Sequence, residues 1–160
     1  MAQVDTKAYL LLIVRLVVSA AFLLAAMPKI QDPVAFTTSV EGFRVVEGDL
    51  ATWVSIILPW LELVIGFGLL IPQIRRGSGI LIALLLVIFI SLHASAWARG
   101  LDISCGCYGV NQTDEPSNYL WLICRNVALL IGCVAVLIRD WRSDIRSRVG
   151  LPADQSGRDF

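Results

Sequence analysis

Charge is scarce in this chain: only 16% of its 160 residues are Asp, Glu, Lys or Arg, the two signs cancel to a formal net charge of zero, and there is a single histidine. No basic stripe is present to track a phosphate backbone, so nucleic-acid binding is excluded as a working class. A Gly-rich phosphate loop and a paired-histidine metalloprotease motif are both missing. So is the ten-residue apolar/polar alternation of a membrane β-barrel. What fills the chain instead is apolar: 57% of residues are hydrophobic and the mean hydropathy is +0.74, outside the range of soluble domains.

Four apolar runs reach the roughly 20 residues that cross hydrocarbon as a helix: about Ala8–Met27, Ala51–Ile71, Gly79–Trp97 and Tyr119–Ile138. Backbone groups in lipid must be satisfied within their own segment, which predicts an all-α fold. The expected architecture is a polytopic membrane protein, a single four-transmembrane-helix domain over residues 1–150, followed by a disordered cytoplasmic tail over 151–160. Arg15 interrupts the first run and no small-residue cleavage site follows it, so it is expected to be a span rather than a signal peptide.

Basic residues set the orientation. Arg75 and Arg76 occupy the second connection and Arg139, Arg142, Arg146 and Arg148 the tail, whereas the first and third connections are acidic on balance. By the positive-inside rule both termini face the cytoplasm of a cell (inner) membrane, and the third connection faces outward. That connection holds Ser104-Cys105-Gly106-Cys107-Tyr108-Gly109, a thiol pair directly after a span. Cysteines two positions apart bond only in a tight bend, and a strained disulfide is a better oxidant. Thiol–disulfide exchange is therefore the leading expectation, with a passive structural bridge or soft-metal binding as alternatives.

At about 1.5 Å per helical residue, the intramembrane polar residues fall into two layers. Arg15 and Glu62 lie at similar depth on two spans and are expected to form an intramembrane ion pair. His93, Cys124 and Arg125 lie beneath the cysteine loop, as candidates for proton handling, exchange and thiolate stabilisation. Cys133 is nine positions from Cys124 on one helix, on the opposite face, and is expected to be a small buried apolar residue. Pro59 is expected to bend the second span before Glu62, and Gly66 and Gly68 to allow close helix approach. Trp97, Tyr119, Trp121 and Trp141 suit the aromatic belts, and Trp60 or Phe89 is a candidate stacking surface for a membrane quinone, for which no motif fixes a site.

Four segments resemble the MauE family of methylamine utilisation proteins, within the DoxX-like group of small four-helix membrane proteins. They are Arg15-Leu16 with Met27-Pro28-Lys29-Ile30-Gln31-Asp32-Pro33 and Phe36; Leu58-Pro59-Trp60-Leu61-Glu62-Leu63 with Gly66; Arg99 through Gly109; and Arg125-Asn126. The resemblance implies a role in maturing an exported, disulfide-containing client, the family example being the small subunit of methylamine dehydrogenase, with a thioredoxin-like partner of the MauD type. It also implies a redox role for Cys105 and Cys107, and framework or site-lining roles for Arg15, Lys29, Glu62, Arg125 and Asn126. A non-catalytic membrane scaffold for a maturation partner, and a small transporter or soft-metal carrier, are the rival functions.

Overall fold

The structure, a computed structural model, describes the backbone of residues 6–101 and 119–149 and the side chains of residues 9–101 and 119–142. The Cys105–Cys107 pair and the tail beyond Val149 lie outside the described residues. Five helices account for most of the described chain: α1 (Thr6–Gln31), α2 (Pro33–Gly42), α3 (Asp49–Gly68), α4 (Arg75–Ala98) and α5 (Tyr119–Val149). Four are long and apolar enough to span a bilayer, over Tyr9–Gln31, Asp49–Gly68, Arg75–Ala98 and Tyr119–Arg142. The chain is a polytopic helical membrane protein.

Helix α1 runs on past the end of its apolar stretch and through Pro28, which removes only one backbone donor. The Asp32 amide donates to the Pro28 carbonyl at 3.1 Å and closes the last turn. The chain then restarts as α2, because the Asp32 side chain accepts from the Ala35 amide at 2.9 Å and Pro33 opens the new helix. This ten-residue helix, too short to cross a membrane, occupies the first connection between spans.

The four long helices pack as a closed ring, α1 on α3, α3 on α4, α4 on α5 and α5 on α1, with α2 laid against α3. Val18, Phe22, Ile65, Leu69, Ile82 and Leu86 form the buried centre. Small residues set the helix separations. A Cβ at Gly66 would stand 3.1 Å from Leu23 Cδ2, and one at Gly79 would stand 2.7 Å from Leu137 Cδ2. Gly68 backs onto Ser78 in the same way. Trp97, Trp121 and Trp141 point outward as belt residues should, but Tyr119 is only 9% exposed. Its ring packs on Ala96 and its hydroxyl donates to the Leu101 carbonyl, which removes it from the lipid face.

The expected Arg15–Glu62 pair does not form. Ser19 meets Gly66 across the antiparallel α1 and α3, so Arg15 and Glu62 lie about one turn to either side of that level, and the lean of helix side chains toward their N-termini separates them further. Arg15 meets Asp140 on α5, with one guanidinium nitrogen 3.0 Å from each carboxylate oxygen. Arg75 Nε approaches the same carboxylate at 3.3 Å, and Arg76 donates to the Asp140 carbonyl at 3.0 Å. One aspartate thus joins α1, α4 and α5 at this end of the bundle. Asp140→Asn should lower the thermal stability of the detergent-solubilised protein by roughly 2 kcal/mol, since it leaves Arg15 and Arg75 poorly compensated. Adding Arg15→Gln should recover part of that loss, and strictly additive losses in the double variant would reject the clasp.

Candidate functional site

The opposite end of the bundle gathers α1's last turns, the start of α3, the end of α4 and the start of α5. Lys29 enters one residue after Pro28 and Glu62 three residues after Pro59, both prolines lying inside their helices. The helices run antiparallel, with Ser19 Oγ donating to the Gly66 carbonyl at 2.7 Å deeper in the bundle. Lys29 therefore leans inward and Glu62 leans back toward it. The ammonium lies 2.6 and 2.8 Å from the two carboxylate oxygens, with the side chains 3% and 1% exposed. Phe36 and Phe89 place their rings 5.1 and 5.4 Å from the same nitrogen, adding cation–π attraction in a site screened from solvent.

His93 on α4 is 3% exposed, and its Nδ1 lies 2.6 Å from the Phe89 carbonyl. A carbonyl only accepts, so Nδ1 carries the proton, and in the neutral ring Nε2 is the basic nitrogen. Phe43 meets the imidazole edge-on at 5.6 Å and 77°. From α5, Arg125 donates to Asn126 Oδ1 at 3.4 Å, and Asn126 is 3% exposed. Lys29, Glu62, His93, Arg125 and Asn126 together line a cavity of about 40 Å³, polar enough and large enough to hold water. With His93 neutral, the described side chains around it carry two positive charges against one negative. Such a site favours an anion, a thiolate or an oxyanion, over a neutral guest.

Around this cavity the expected residues divide. His93 and Arg125, named for depth, and Lys29, Glu62 and Asn126, implied by the family resemblance, share one cavity. Arg15 belongs to the other end. Cys124 is exposed on the outer face of α5 and does not line the cavity. Cys133 is 1% exposed and donates its thiol to the Gly79 carbonyl at 3.3 Å, between α5 and α4. Cys105 and Cys107 fall outside the described residues, but both flanks of their segment are held at the cavity's end of the bundle. Tyr119 donates its hydroxyl to the Leu101 carbonyl, and Arg99 donates to the Phe43 carbonyl at 2.6 Å.

The Lys29–Glu62 partnership escaped the apolar-run reasoning because it placed Lys29 beyond the first span. Two signals were available. Lys29 precedes Asp32-Pro33, the actual stop, and the lean of side chains toward helix N-termini brings these two residues together. Glu62→Gln should leave the buried ammonium with a neutral partner and reduce folded protein, at a cost of about 3–5 kcal/mol. The apolar exchange Lys29→Met with Glu62→Leu should restore most of that stability, as read by thermal unfolding. A double variant no more stable than Glu62→Gln would disprove the pairing.

A family model described as methylamine utilisation protein MauE matches residues 7–139. The methylamine utilization protein MauE of Paracoccus denitrificans is 28% identical over 123 residues, covering 76% of this chain and 65% of the relative. That of Methylorubrum extorquens is 34% identical over 110 residues, covering 68% of this chain and 58% of the relative. That of Methylophilus methylotrophus is 34% identical over 97 residues, covering 60% and 49%. The chain thus spans between half and two-thirds of the length of the curated relatives it matches. No solved structure matches it.

Proposed function

The chain belongs to the MauE family, and on that footing we propose that it is a membrane thiol–disulfide protein that assists maturation of an exported, disulfide-containing client in methylamine utilisation. The carrying observation is the buried, net positive cluster of Lys29, Glu62, His93 and Arg125 at the end of the bundle from which the Cys105–Cys107 segment departs and to which it returns. Positive charge in a low-dielectric site lowers the cost of a thiolate, the species that attacks and leaves in disulfide exchange. Neutral His93, with Nε2 basic, is suited to accept the proton that a thiol gives up.

In the exchange, a thiolate of a thioredoxin-like partner of the MauD type attacks Cys107 Sγ. The Cys105–Cys107 bond breaks, a mixed disulfide forms and Cys105 leaves as a thiolate. The partner's second thiolate then attacks its own bonded sulfur, forming the partner disulfide and releasing Cys107. Two electrons pass from the partner dithiol to the loop pair, and the reverse sequence operates if the loop is the reductant. The protein sits in the cell inner membrane with both termini cytoplasmic and the cysteine pair outside, supported by the gathering of Arg75, Arg76 and Asp140-paired Arg15 at the far end.

In intact cells, a membrane-impermeant thiol reagent applied after reduction should label Cys105 or Cys107 but leave Cys133 unmodified. Labelling of the loop pair only in inverted vesicles would reverse the topology. Cys105→Ser leaves Cys107 able to attack an oxidised partner without a neighbour to resolve the product, so a reducible covalent adduct with a thioredoxin-like protein should accumulate. The double serine variant should form no such adduct and should fail to support client disulfide formation. Normal client maturation in the double variant would eliminate loop redox chemistry in favour of a scaffold.

A further inference from the structure

Next to the polar cavity lies a second, apolar chamber of about 240 Å³, enclosed by α2, the stretch leading into α3, α3 itself and α4. Phe36, Phe43, Val54, Leu58 and Leu92 supply most of its wall. Lys29, Phe89 and His93 belong to both linings, so the two spaces meet at an ammonium and an imidazole. Its rim includes Val45, 58% exposed in the connection between α2 and α3, and Ile88, 43% exposed on α4, so a ligand dissolved in lipid reaches it from the side.

We infer that this chamber binds the head ring of a lipid-soluble quinone, with the Lys29 ammonium as the donor to one of its carbonyl oxygens. The wall excludes ionised and strongly hydrated molecules, because a polar group placed there would lose water without a replacement partner. It accepts a flat hydrophobic ring, to which Phe36, Phe43 and Phe89 offer aromatic faces and edges. A plain acyl chain would use the apolar wall but leave the polar end without a purpose. A quinone uses both. An ammonium has three donors, and Glu62 takes two; among the described residues no third oxygen accepts from Lys29. The third N–H suits a quinone carbonyl. The adjoining cavity, beside Glu62 and Asn126, has room for a water that would carry the protons.

The electron donor rests on the thiol–disulfide reading above, whereas the binding does not. As the Cys105–Cys107 bond forms, the two thiols lose two electrons and two protons. The quinone gains both pairs and becomes the hydroquinone, so no further reactant is required.

The test uses the full chain in phosphatidylcholine nanodiscs, irradiated with a photoreactive azido-ubiquinone and mapped by mass spectrometry. Label should fall on peptides containing Val54 to Leu58 or Ile88 to His93, and decylubiquinone should displace it while carbonyl-free decylbenzene should not. Val54→Trp fills the chamber and should cut labelling at least tenfold, and Leu92→Phe serves the same purpose if the larger change prevents folding, which thermal unfolding reports. Val134→Trp, on the outer face of α5, should leave labelling unchanged. Label spread over the outer helix faces, or displaced equally by decylbenzene, would mark an acyl-chain crevice and overturn the inference. Competed labelling that survives in the double serine variant supports the site even where that variant matures its client normally, which would refute only the thiol reading. A trapped Cys107 adduct without competed labelling would refute only the quinone site.

Discussion

A lysine and a glutamate, each almost wholly removed from solvent, hold α1 against α3 at a depth where each needs the other as its partner. Everything at that end of the bundle follows from satisfying this pair. The two aromatic rings beside the ammonium, the shared wall of cavity and chamber, and the approach of His93 and Arg125 all enclose it. As helix glue it is a poor choice, because two apolar side chains of similar volume would pack as well without the desolvation cost. On the proposed function, the charge would be kept for what it does to a neighbouring ligand or thiol rather than for what it contributes to folding.

The bundle keeps its charges in two separate stations. At one end Asp140 joins guanidinium groups from α1 and α4, close to the helix ends where long side chains reach the interface. At the other, the ionisable groups are sealed around a small polar cavity. Between them the core is apolar from Val18 to Leu86, with Cys133 serving as a small packing residue that satisfies a carbonyl. Helix α5 contributes to both stations, Arg125 and Asn126 to one and Asp140 to the other, and so fixes their spacing.

The number and type of the long helices were legible because crossing hydrocarbon leaves so few options for an apolar run. The depth of His93 and Arg125 was legible for the same reason: rise per residue is constant. What counting from the ends of apolar runs could not supply was the relative register of two spans. Ser19 meets Gly66, so on these antiparallel helices Arg15 lies about one turn to one side of that level and Glu62 about one turn to the other, and each finds a partner from beyond the edge of an apolar run, Asp140 and Lys29. Helix α2 was hidden because it is signalled by a cap, Asp32-Pro33, rather than by length. Cys124 had the right depth and the wrong azimuth, and Tyr119 had the right residue type for a belt but a carbonyl to satisfy inside.

The contact between Tyr119 and Leu101 bears on the segment it brackets in a way that concerns entropy rather than chemistry. Joining the ends of a chain segment reduces the conformations open to it, and here the packed helices have already imposed that restriction before any sulfur–sulfur bond exists. A bond between Cys105 and Cys107 would then change the freedom of three residues, not of the whole excursion between α4 and α5. On the proposed reading, the stability of the bundle would thereby be insulated from the oxidation state of these thiols, a condition that any protein cycling between dithiol and disulfide must meet if it is not to unfold a little with each turnover.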